Sequence, residues 1–339
     1  MIRRGLFAAM CLAFLIMMGC AENVTVIDST GCAVTVNAPV HKVVSLGTGV
    51  AGYIYALDQG ECLIGRDSYS YYPPELTNVQ IAGKSSYSPD LELIVKLQPD
   101  LVIADTMLSD EDKKELEDAG IPVLLEWISD PSKDVKVMED IGLMLGKEDR
   151  AKEIIDVITK YRNIIKERTA DLKDDEKPKV FLEWAGKPYY TVCNGTQMDT
   201  IIGLAGGINI AKNYGNGSHS YPTVSPEWVV TIDPDVIIQT KSRDSSFNEE
   251  ELKEFQDAIL ARSELSDVSA VKDGRVYVVS GELMYSIRSI VSELYIARWL
   301  HPDLFKDIDP QAVHEEIVKD FYGIDLDGGA YVYPSESSS

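Results

Sequence analysis

An internal repeat constrains the fold of this 339-residue chain more than any other feature of its sequence. Residues 92–103 and 227–238 align without gaps, and each copy carries a glutamate, an apolar triplet, a Pro-Asp pair and an aliphatic run. A Ser-Pro pair, beginning at Ser88 and at Ser225, precedes each copy. Serine as the N-cap with proline at the first helical position favours a helix start. Two copies of one helix-turn-strand unit predict two lobes of similar structure.

Apolar periodicity around the repeat predicts how the lobes are joined. Strand-like and helix-like stretches alternate over residues 41–147 and again over 178–306, which is typical of parallel sheets covered by helices. Between them, residues 148–172 carry apolar side chains at helical spacing. At 1.5 Å per residue this helix would be about 37 Å long, enough to reach from one lobe to the other.

The predicted fold class is therefore α/β, with two Rossmann-like lobes joined by a single long helix and a ligand cleft between them. The N-terminal lobe is predicted at 41–147, the connecting helix at 148–172 and the C-terminal lobe at 178–306. Residues 307–339 are predicted to form a C-terminal extension that ends in a disordered tail.

The first twenty residues are typical of an export signal. Arg3 and Arg4 precede an apolar run over 6–18, which is too short to span a membrane. Cys20 directly follows Gly19 and resembles the lipid-modified cysteine of a lipobox. We expect an exported protein of the cell envelope, either periplasmic or anchored through Cys20 to the outer face of the cytoplasmic membrane.

The charge balance limits the classes of partner. The chain has 32 basic and 55 acidic residues, a formal net charge of -23. Nucleic acids and anionic membrane surfaces bind basic footprints, so neither is an expected partner. Contact with a membrane is expected only through the lipid anchor. We expect a monomer.

Metal and nucleophile motifs are missing from the sequence pattern. The cysteines of the body, Cys32, Cys62 and Cys193, fit no zinc spacing, and the four histidines are scattered. A disulfide between Cys32 and Cys62 and plain buried thiols both stay open. No Gly-x-Ser-x-Gly elbow is present. We expect no metal site, no cofactor and no catalysis.

One motif supports an alternative. Gly47-x-Gly49-x-x-Gly52 follows a predicted strand, as a dinucleotide fingerprint does, and Asp67 lies about twenty residues further on. An exported enzyme that uses this turn for a nucleotide is therefore the alternative function. The motif is equally typical of a tight turn that opens a helix. A surface adhesion module is a third reading, but it gives the aromatic loops described next no purpose.

Aromatic and arginine side chains concentrate in the loops that follow the predicted strands, where α/β sheets bind ligands. Tyrosine and tryptophan supply flat stacking area, and arginine supplies forked donors for carboxylate or phosphate. The pattern predicts a large ligand, partly aromatic and partly anionic, although core packing is an equal alternative for Trp184. The candidate ligand-binding residues are Arg66, Tyr69, Tyr71, Trp184, Tyr190, Tyr285 and Arg288.

Taken together, these blocks resemble a known family over about residues 41–306. The blocks that carry the resemblance are 42–46, 91–103, the long helix, 224–238, 273–279 leading to Arg288, and 297–305. The chain resembles the periplasmic binding proteins of ABC importers for iron–siderophore complexes, haem and cobalamin. The resemblance implies an extracytoplasmic solute-binding component that captures an Fe(III) chelate, haem or a corrinoid.

The resemblance also implies a route of delivery. The ligand would pass to an ABC permease and its ATPase, and one glutamate per lobe would pair with arginines of the permease. The matching positions are Glu92 and Glu227, each seven residues before its Pro-Asp pair. Asp90 is a rival for the first of them. Stabilisation of a helix start by an acidic side chain is the alternative reading of both glutamates.

Overall fold

The computed structural model describes residues 22–128, 130–217, 220–241, 246–326 and 328–335. The predicted export signal, including Cys20, and most of the predicted tail lie outside these residues. Within the described ranges, none of the helices has the length and apolar character needed to cross a membrane.

A β-hairpin precedes the first lobe, where the sequence had shown only a polar lead. Strand β1 (Glu22–Ile27) pairs antiparallel with β2 (Ala33–Ala38). Buried and exposed residues alternate along β2, as expected when one face of a hairpin is covered. The turn is held by Asp28, whose carboxylate accepts hydrogen bonds from the backbone N–H groups of Thr30 and Cys32, both at 2.9 Å.

The first lobe is a six-stranded sheet in the order β6-β5-β4-β3-β7-β8, parallel except for β6. Its strands are β3 (Val43–Leu46), β4 (Leu63–Asp67), β5 (Ile81–Ser85), β6 (Ser88–Pro89), β7 (Leu101–Asp105) and β8 (Val123–Glu126). Its helices are α1 (Val50–Ala56), α2 (Leu91–Leu97), α3 (Asp110–Asp118) and α4 (Asp134–Leu145), with 3-10 turns at Gly60–Cys62 and Pro74–Asn78.

A single 22-residue helix, α5 (Glu148–Thr169), follows. Its buried stripe recurs every three or four residues, which places one face against the core. Arg162 on this helix binds one carboxylate on each side: Asp134 of α4 at 2.7 Å, and Glu293 of the second lobe at 2.6 Å. The long helix therefore contacts both lobes through a buried ion-pair triad.

The second lobe is a five-stranded sheet in the order β10-β9-β11-β12-β13, parallel except for β13. Its strands are β9 (Lys179–Glu183), β10 (Ile208–Asn209), β11 (Val236–Lys241), β12 (Val276–Ser280) and β13 (Val332–Tyr333). Its helices are α6 (Gln197–Leu204), α7 (Pro226–Ile232), α8 (Glu249–Leu260), α9 (Ser269–Lys272), α10 (Ser289–Leu300), α11 (Pro302–Phe305) and α12 (Pro310–Tyr322). Its 3-10 turns are Asp174–Glu176, Tyr214–Gly217, Ser263–Leu265, Gly281–Met284 and Ser286–Arg288. The predicted α/β fold with two sheet-containing lobes is confirmed.

The end of the chain corrects the prediction of an appended extension. Helix α12 packs against α1 of the first lobe and α10 of the second, and β13 pairs antiparallel with β12. Val313, Ile317 and Phe321 are buried along one face of α12. Their four-residue spacing is the helical signal that the sequence contained and that the prediction did not use.

The repeat is visible as two copies of one structure. Helices α2 and α7 have seven residues each and end at a left-handed residue, Gln98 (φ 51°) and Asp233 (φ 53°). In each copy the aspartate of the Pro-Asp pair accepts a backbone N–H at the start of the neighbouring strand. The carboxylate of Asp100 accepts from the backbone N–H of Lys42 at 2.9 Å, and that of Asp235 accepts from the backbone N–H of Lys179 at 2.7 Å.

The copies differ at the helix start. Ser225 caps α7 as predicted, accepting from the N–H of Trp228 at 3.2 Å. In the first copy the predicted cap at Ser88 is wrong, because Ser88 lies in β6 and Asp90 caps α2, accepting from Leu93 at 3.0 Å. The two extra residues of the first copy are used for this short strand.

Candidate functional site

A cavity of about 860 Å³ lies between the lobes. This volume is in the upper part of the range of small-molecule sites, roughly 300–1,000 Å³. Loops from the carboxyl ends of the strands of both lobes form its walls, together with the end of α12. Its aromatic residues are Tyr69, Tyr71, Tyr72, Tyr87, Trp184, Tyr190, Tyr221, Tyr285 and Tyr322.

The cavity brings together most of the predicted ligand-binding residues. Those that line it are Tyr69, Tyr71, Trp184, Tyr190, Tyr285 and Arg288. Arg66, which was also predicted to bind the ligand, does not line the cavity. Its buried guanidinium donates to the carbonyl oxygens of Leu76 at 2.7 Å and Asp67 at 2.9 Å, and burial lowers its pKa. Arg66 therefore fixes the turn below the tyrosine loop and does not face the ligand space.

The mouth of the cavity exposes large aromatic surfaces. Tyr87 is 68% exposed, Tyr69 43% and Tyr221 40%. In the second lobe the ring of Tyr221 contacts two others, with centroid distances of 5.7 Å to Trp184 and 6.3 Å to Tyr190. Exposed aromatic rings at a concave site are surfaces that a bound ligand would cover.

Deeper in the cavity the phenols stay protonated. Burial raises the pKa of Tyr285, and it raises the pKa of Tyr322 to about 12. These hydroxyls can therefore donate hydrogen bonds to a ligand at neutral pH. Forming a phenolate to coordinate a bare metal ion would be costly at such positions.

The floor of the cavity holds a buried cation. Arg288 is 2% exposed, and its guanidinium lies 3.7 Å from the ring centroid of Tyr72 and 4.9 Å from that of Tyr331. Its Nε donates to Nε2 of His314 at 3.0 Å. Its Nη2 is 3.7 Å from Oε2 of Glu282, an ion-pair distance that is too long for a hydrogen bond.

The glycine turn serves contact between the lobes. Gly49 has φ 101°, and a Cβ there would lie 2.8 Å from Cβ of Tyr285 and 2.9 Å from N of Ser286. A Cβ on Gly52 would lie 2.9 Å from Oγ of Ser286. The second lobe therefore covers the start of α1. This close approach explains two of the three glycines of the motif, whereas a Cβ on Gly47 would meet Ile128 and Asp105 of the first lobe.

The cysteines and acidic residues of the described ranges form no metal-binding cluster. Cys32 is exposed, whereas Cys62 and Cys193 are buried, and all three are free thiols. The disulfide that stayed open between Cys32 and Cys62 is not formed in the structure. Burial raises the pKa of Cys62 to about 11, so its thiol is unreactive.

Helices α2 and α7 present the same pair of exposed side chains, one helix in each lobe. Glu92 and Glu227 are exposed and occupy the second position of α2 and α7. Val95 and Val230, three residues later, are each 38% exposed. Residues three apart share one face of a helix, so each lobe offers an acid beside an apolar side chain. The side chain of Asp90 is used as the cap of α2.

Comparison with known proteins identifies the family. The sequence profile described as Periplasmic binding protein matches residues 43–283. The chain belongs to the periplasmic binding protein family. The uncharacterised ABC transporter substrate-binding lipoprotein YvrC of Bacillus subtilis is 28% identical over 328 residues, with 90% of this chain and 99% of that protein covered.

Two further relatives extend the comparison. A cobalamin-binding protein of Halobacterium salinarum is 28% identical over 66% of this chain and 60% of that protein. The solved structure of the TroA-like periplasmic binding protein FepB from Veillonella parvula has a TM-score of 0.78 and 23% identity, covering 91% of this chain and 99% of that one. The similarity to this solved structure shows the fold alone.

As a periplasmic binding protein, the chain is the extracytoplasmic substrate-binding component of an ABC transporter. Its partners are the permease and the ATPase of that transporter. It is a binding protein and not an enzyme, which excludes the alternative of a nucleotide-dependent enzyme.

Several cavity residues had escaped the sequence prediction. Tyr87 directly precedes the Ser-Pro pair of the first repeat, and Tyr221 lies four residues before that of the second. Their shared place upstream of the repeat was a usable signal. Tyr322 lies at the end of α12, in the predicted C-terminal extension, so the sequence pattern gives no reason to place it at the cleft.

Proposed function

We propose that the ligand is a large metal chelate, an Fe(III) chelate, haem or a corrinoid, bearing at least one acidic group. The cavity carries this proposal: about 860 Å³ of space, walled by tyrosines of both lobes, with one buried arginine at its floor. A bare metal ion or a small oxyanion would leave most of that volume empty.

The chemistry of the walls supports the same class. Flat ligand faces can stack on Tyr87, Tyr221 and Trp184, and covering their apolar surface contributes about 25 cal/mol per Å². Arg288 can form a charge-assisted pair with a carboxylate, phosphate or catecholate oxygen. The protonated phenols suit a metal that is already fully coordinated by its chelator. A cobalamin-binding relative supports the corrinoid member of the class.

Fluorescence titration of the purified protein tests the class. The probes are haem, a corrinoid and Fe(III) chelates, with free Fe(III) and molybdate as controls. We expect saturable quenching by one chelate, because Trp184 lies in the cavity wall, and a quenching amplitude that falls in Trp184→Phe. Saturable binding of only the bare ions, or of none of the probes, would contradict the proposal.

We propose further that Glu92 and Glu227 dock onto arginines of the permease. The two acids occupy the same position of equivalent helices, and each has an exposed valine beside it. An acid beside an apolar side chain, present once per lobe, fits a partner that contacts both lobes in the same way. Asp90 is the weaker candidate because its carboxylate caps α2.

Uptake by whole cells tests the docking. The double variant Glu92→Ala/Glu227→Ala is expected to keep its ligand affinity. Because it lacks both acids proposed to pair with the permease, its transport is expected to fall about tenfold or more, which corresponds to about 1.4 kcal/mol. The matched control is Glu111→Ala/Glu250→Ala, because these exposed acids also occupy the second position of their helices, α3 and α8. Equal transport by both double variants would contradict the docking role.

We also propose that Cys20 carries a lipid and that the protein acts as a monomer. The Gly19-Cys20 pair and a relative named as a lipoprotein support the anchor. Cys20→Ala is expected to abolish labelling by radioactive palmitate and to release the protein from the membrane fraction. Sedimentation of the soluble form is expected to give one species of monomer mass.

A further inference from the structure

The C-terminal segment 310–333 supplies part of the cavity floor. It lies beyond residues 43–283, which the family profile matches. Helix α12 brings Tyr322 to the floor, and behind the floor His314 and Tyr331 contact Arg288. The ring of Tyr331 lies edge-on to that of His314, with their centroids 4.7 Å apart.

His314 is built to accept a hydrogen bond. It is fully buried, and its Nε2 lies 3.0 Å from Nε of Arg288, which can only donate. Burial, and after it the positive charge of Arg288, lowers the pKa of His314 well below its ordinary value. The imidazole is therefore neutral at physiological pH and keeps the lone pair on Nε2 for the arginine.

The guanidinium is fixed on three sides. Tyr72 of the first lobe and Tyr331 of the C-terminal segment contact it, and His314 engages its Nε. Nη2 has no hydrogen-bond acceptor among the residues that the structure describes. Since Arg288 lines the cavity, its terminal nitrogens are the donors that remain for a ligand.

The other groups of this cluster leave hydrogen-bonding positions of the arginine open. The Glu282 carboxylate is at an ion-pair distance, and the rings of Tyr72 and Tyr331 face the guanidinium. Burial raises the pKa of Tyr322 to about 12, so it adds no negative charge. Since the Glu282 carboxylate lies 3.7 Å from Nη2, beyond hydrogen-bond distance, an acidic ligand group could form the forked, charge-assisted hydrogen bonds that this ion pair lacks.

We propose that His314 is a positioning residue for ligand recognition: it holds Arg288 by Nε so that Nη1 and Nη2 meet an acidic group of the chelate. The C-terminal segment is thereby a determinant of specificity for acidic over neutral ligands. This inference rests on the proposed function, a chelate with an acidic group.

The test compares acidic and neutral members of each chelate class. The pairs are haem and haem dimethyl ester, cobyric acid and cobinamide, and an Fe(III) tricatecholate and an Fe(III) trihydroxamate. The wild type is expected to prefer the acidic member at least about tenfold, which is about 1.4 kcal/mol. His314→Leu is expected to lose that preference while binding the neutral member unchanged, and His314→Gln, whose amide oxygen can accept from Nε, is expected to retain it.

A second measurement does not depend on the ligand. In ¹⁵N NMR spectra of the free protein, the Nε–H signal of Arg288 is expected to exchange slowly with water in the wild type and in His314→Gln, and quickly in His314→Leu. Equal Nε–H exchange in all three proteins, or equal loss of affinity for both members of a pair in His314→Leu, would overturn the positioning role. Binding of none of the six probes by the wild type would instead overturn the proposed function.

Discussion

The two lobes are alike at their rims and unlike in their cleft loops. Each rim has a seven-residue helix with glutamate second and an exposed valine fifth, and each ends in a left-handed residue before its Pro-Asp pair. In the cleft, both lobes contribute tyrosines and charged side chains, but the tryptophan Trp184 and the buried arginine Arg288 come from the second lobe. The likeness lies at the helices proposed to meet the permease, and the difference lies in the loops that line the cavity.

The ion pairs of Arg162, which connect the two lobes, predict the largest effect on stability. Arg162 binds Asp134 on one side and Glu293 on the other, and both carboxylates are buried. Burial raises the pKa of Asp134 to about 7, while the Arg162 charge opposes that rise. Arg162→Met leaves two buried acids without their cation, which typically costs about 3–5 kcal/mol of unfolding free energy.

Urea unfolding of the two proteins measures this cost. The matched control is Arg168→Met on the same helix, since its partner Asp307 is largely exposed and should contribute far less. If Arg162→Met loses no more unfolding free energy than Arg168→Met, the ion-pair triad does not hold the lobes together.

The contact of α1 with the second lobe predicts a smaller effect. In Gly52→Ala the new methyl group would lie 2.9 Å from Oγ of Ser286, which is hydrogen-bonded to the hydroxyl of Tyr322 at 2.8 Å. Overpacking of this kind costs about 1–3 kcal/mol. Gly203→Ala is the control, because Gly203 is also helical and has open space around it. Alanine there is expected to stabilise the chain by up to about 1 kcal/mol, its helix-propensity advantage over glycine.

Thermal unfolding separates these two glycines. We expect the melting temperature to fall in Gly52→Ala and to rise slightly in Gly203→Ala. Equal shifts would mean that the lobes can move apart at this contact without cost.

The buried imidazole of the second lobe predicts a dependence of stability on pH. The folded pKa of His314 is well below its ordinary value of 6.5, so the unfolded chain binds more protons as the pH falls through that value. Its contribution to stability is therefore complete above about pH 6.5 and declines below it, by up to about 1.4 kcal/mol per pH unit.

The difference between the wild type and His314→Gln isolates this contribution, because other titrating groups cancel. Unfolding free energies are compared at several pH values on both sides of 6.5. The two curves should run parallel above that value and converge below it. Parallel curves throughout would contradict a depressed pKa at His314.

The helix caps predict the smallest effect and test the likeness of the rims. Asp90→Ala and Ser225→Ala each remove one side-chain cap, at a cost of about 1 kcal/mol. Asp90→Ser keeps an acceptor and should restore most of the loss. Unfolding free energies that differ strongly between the two alanine variants would show that the repeated units are not energetically equivalent.

Much of this architecture could be predicted from the sequence, because the repeat and the long helix are local patterns of spacing. The placement of side chains was harder. Arg66 follows the pattern of a cleft residue, yet its guanidinium is held by the carbonyl oxygens of Leu76 and Asp67, contacts that only the folded loop creates. Tyr322 reaches the cleft, and His314 reaches Arg288, because α12 packs against both α1 and α10, and periodicity carries no information about such packing.

The packing of α12 against both lobes has a consequence for the synthesis of the chain. Proteins are made from the N-terminus, and early parts fold first. His314, Tyr322 and Tyr331 follow strands β3 to β12 in the chain, so these strands can form before the arginine at the cavity floor is fixed. A chain without residues 310–333 would lack the contacts of His314 and Tyr331 with Arg288. In the proposed function, a newly made copy can therefore hold an acidic ligand only after residues 310–333 have been made.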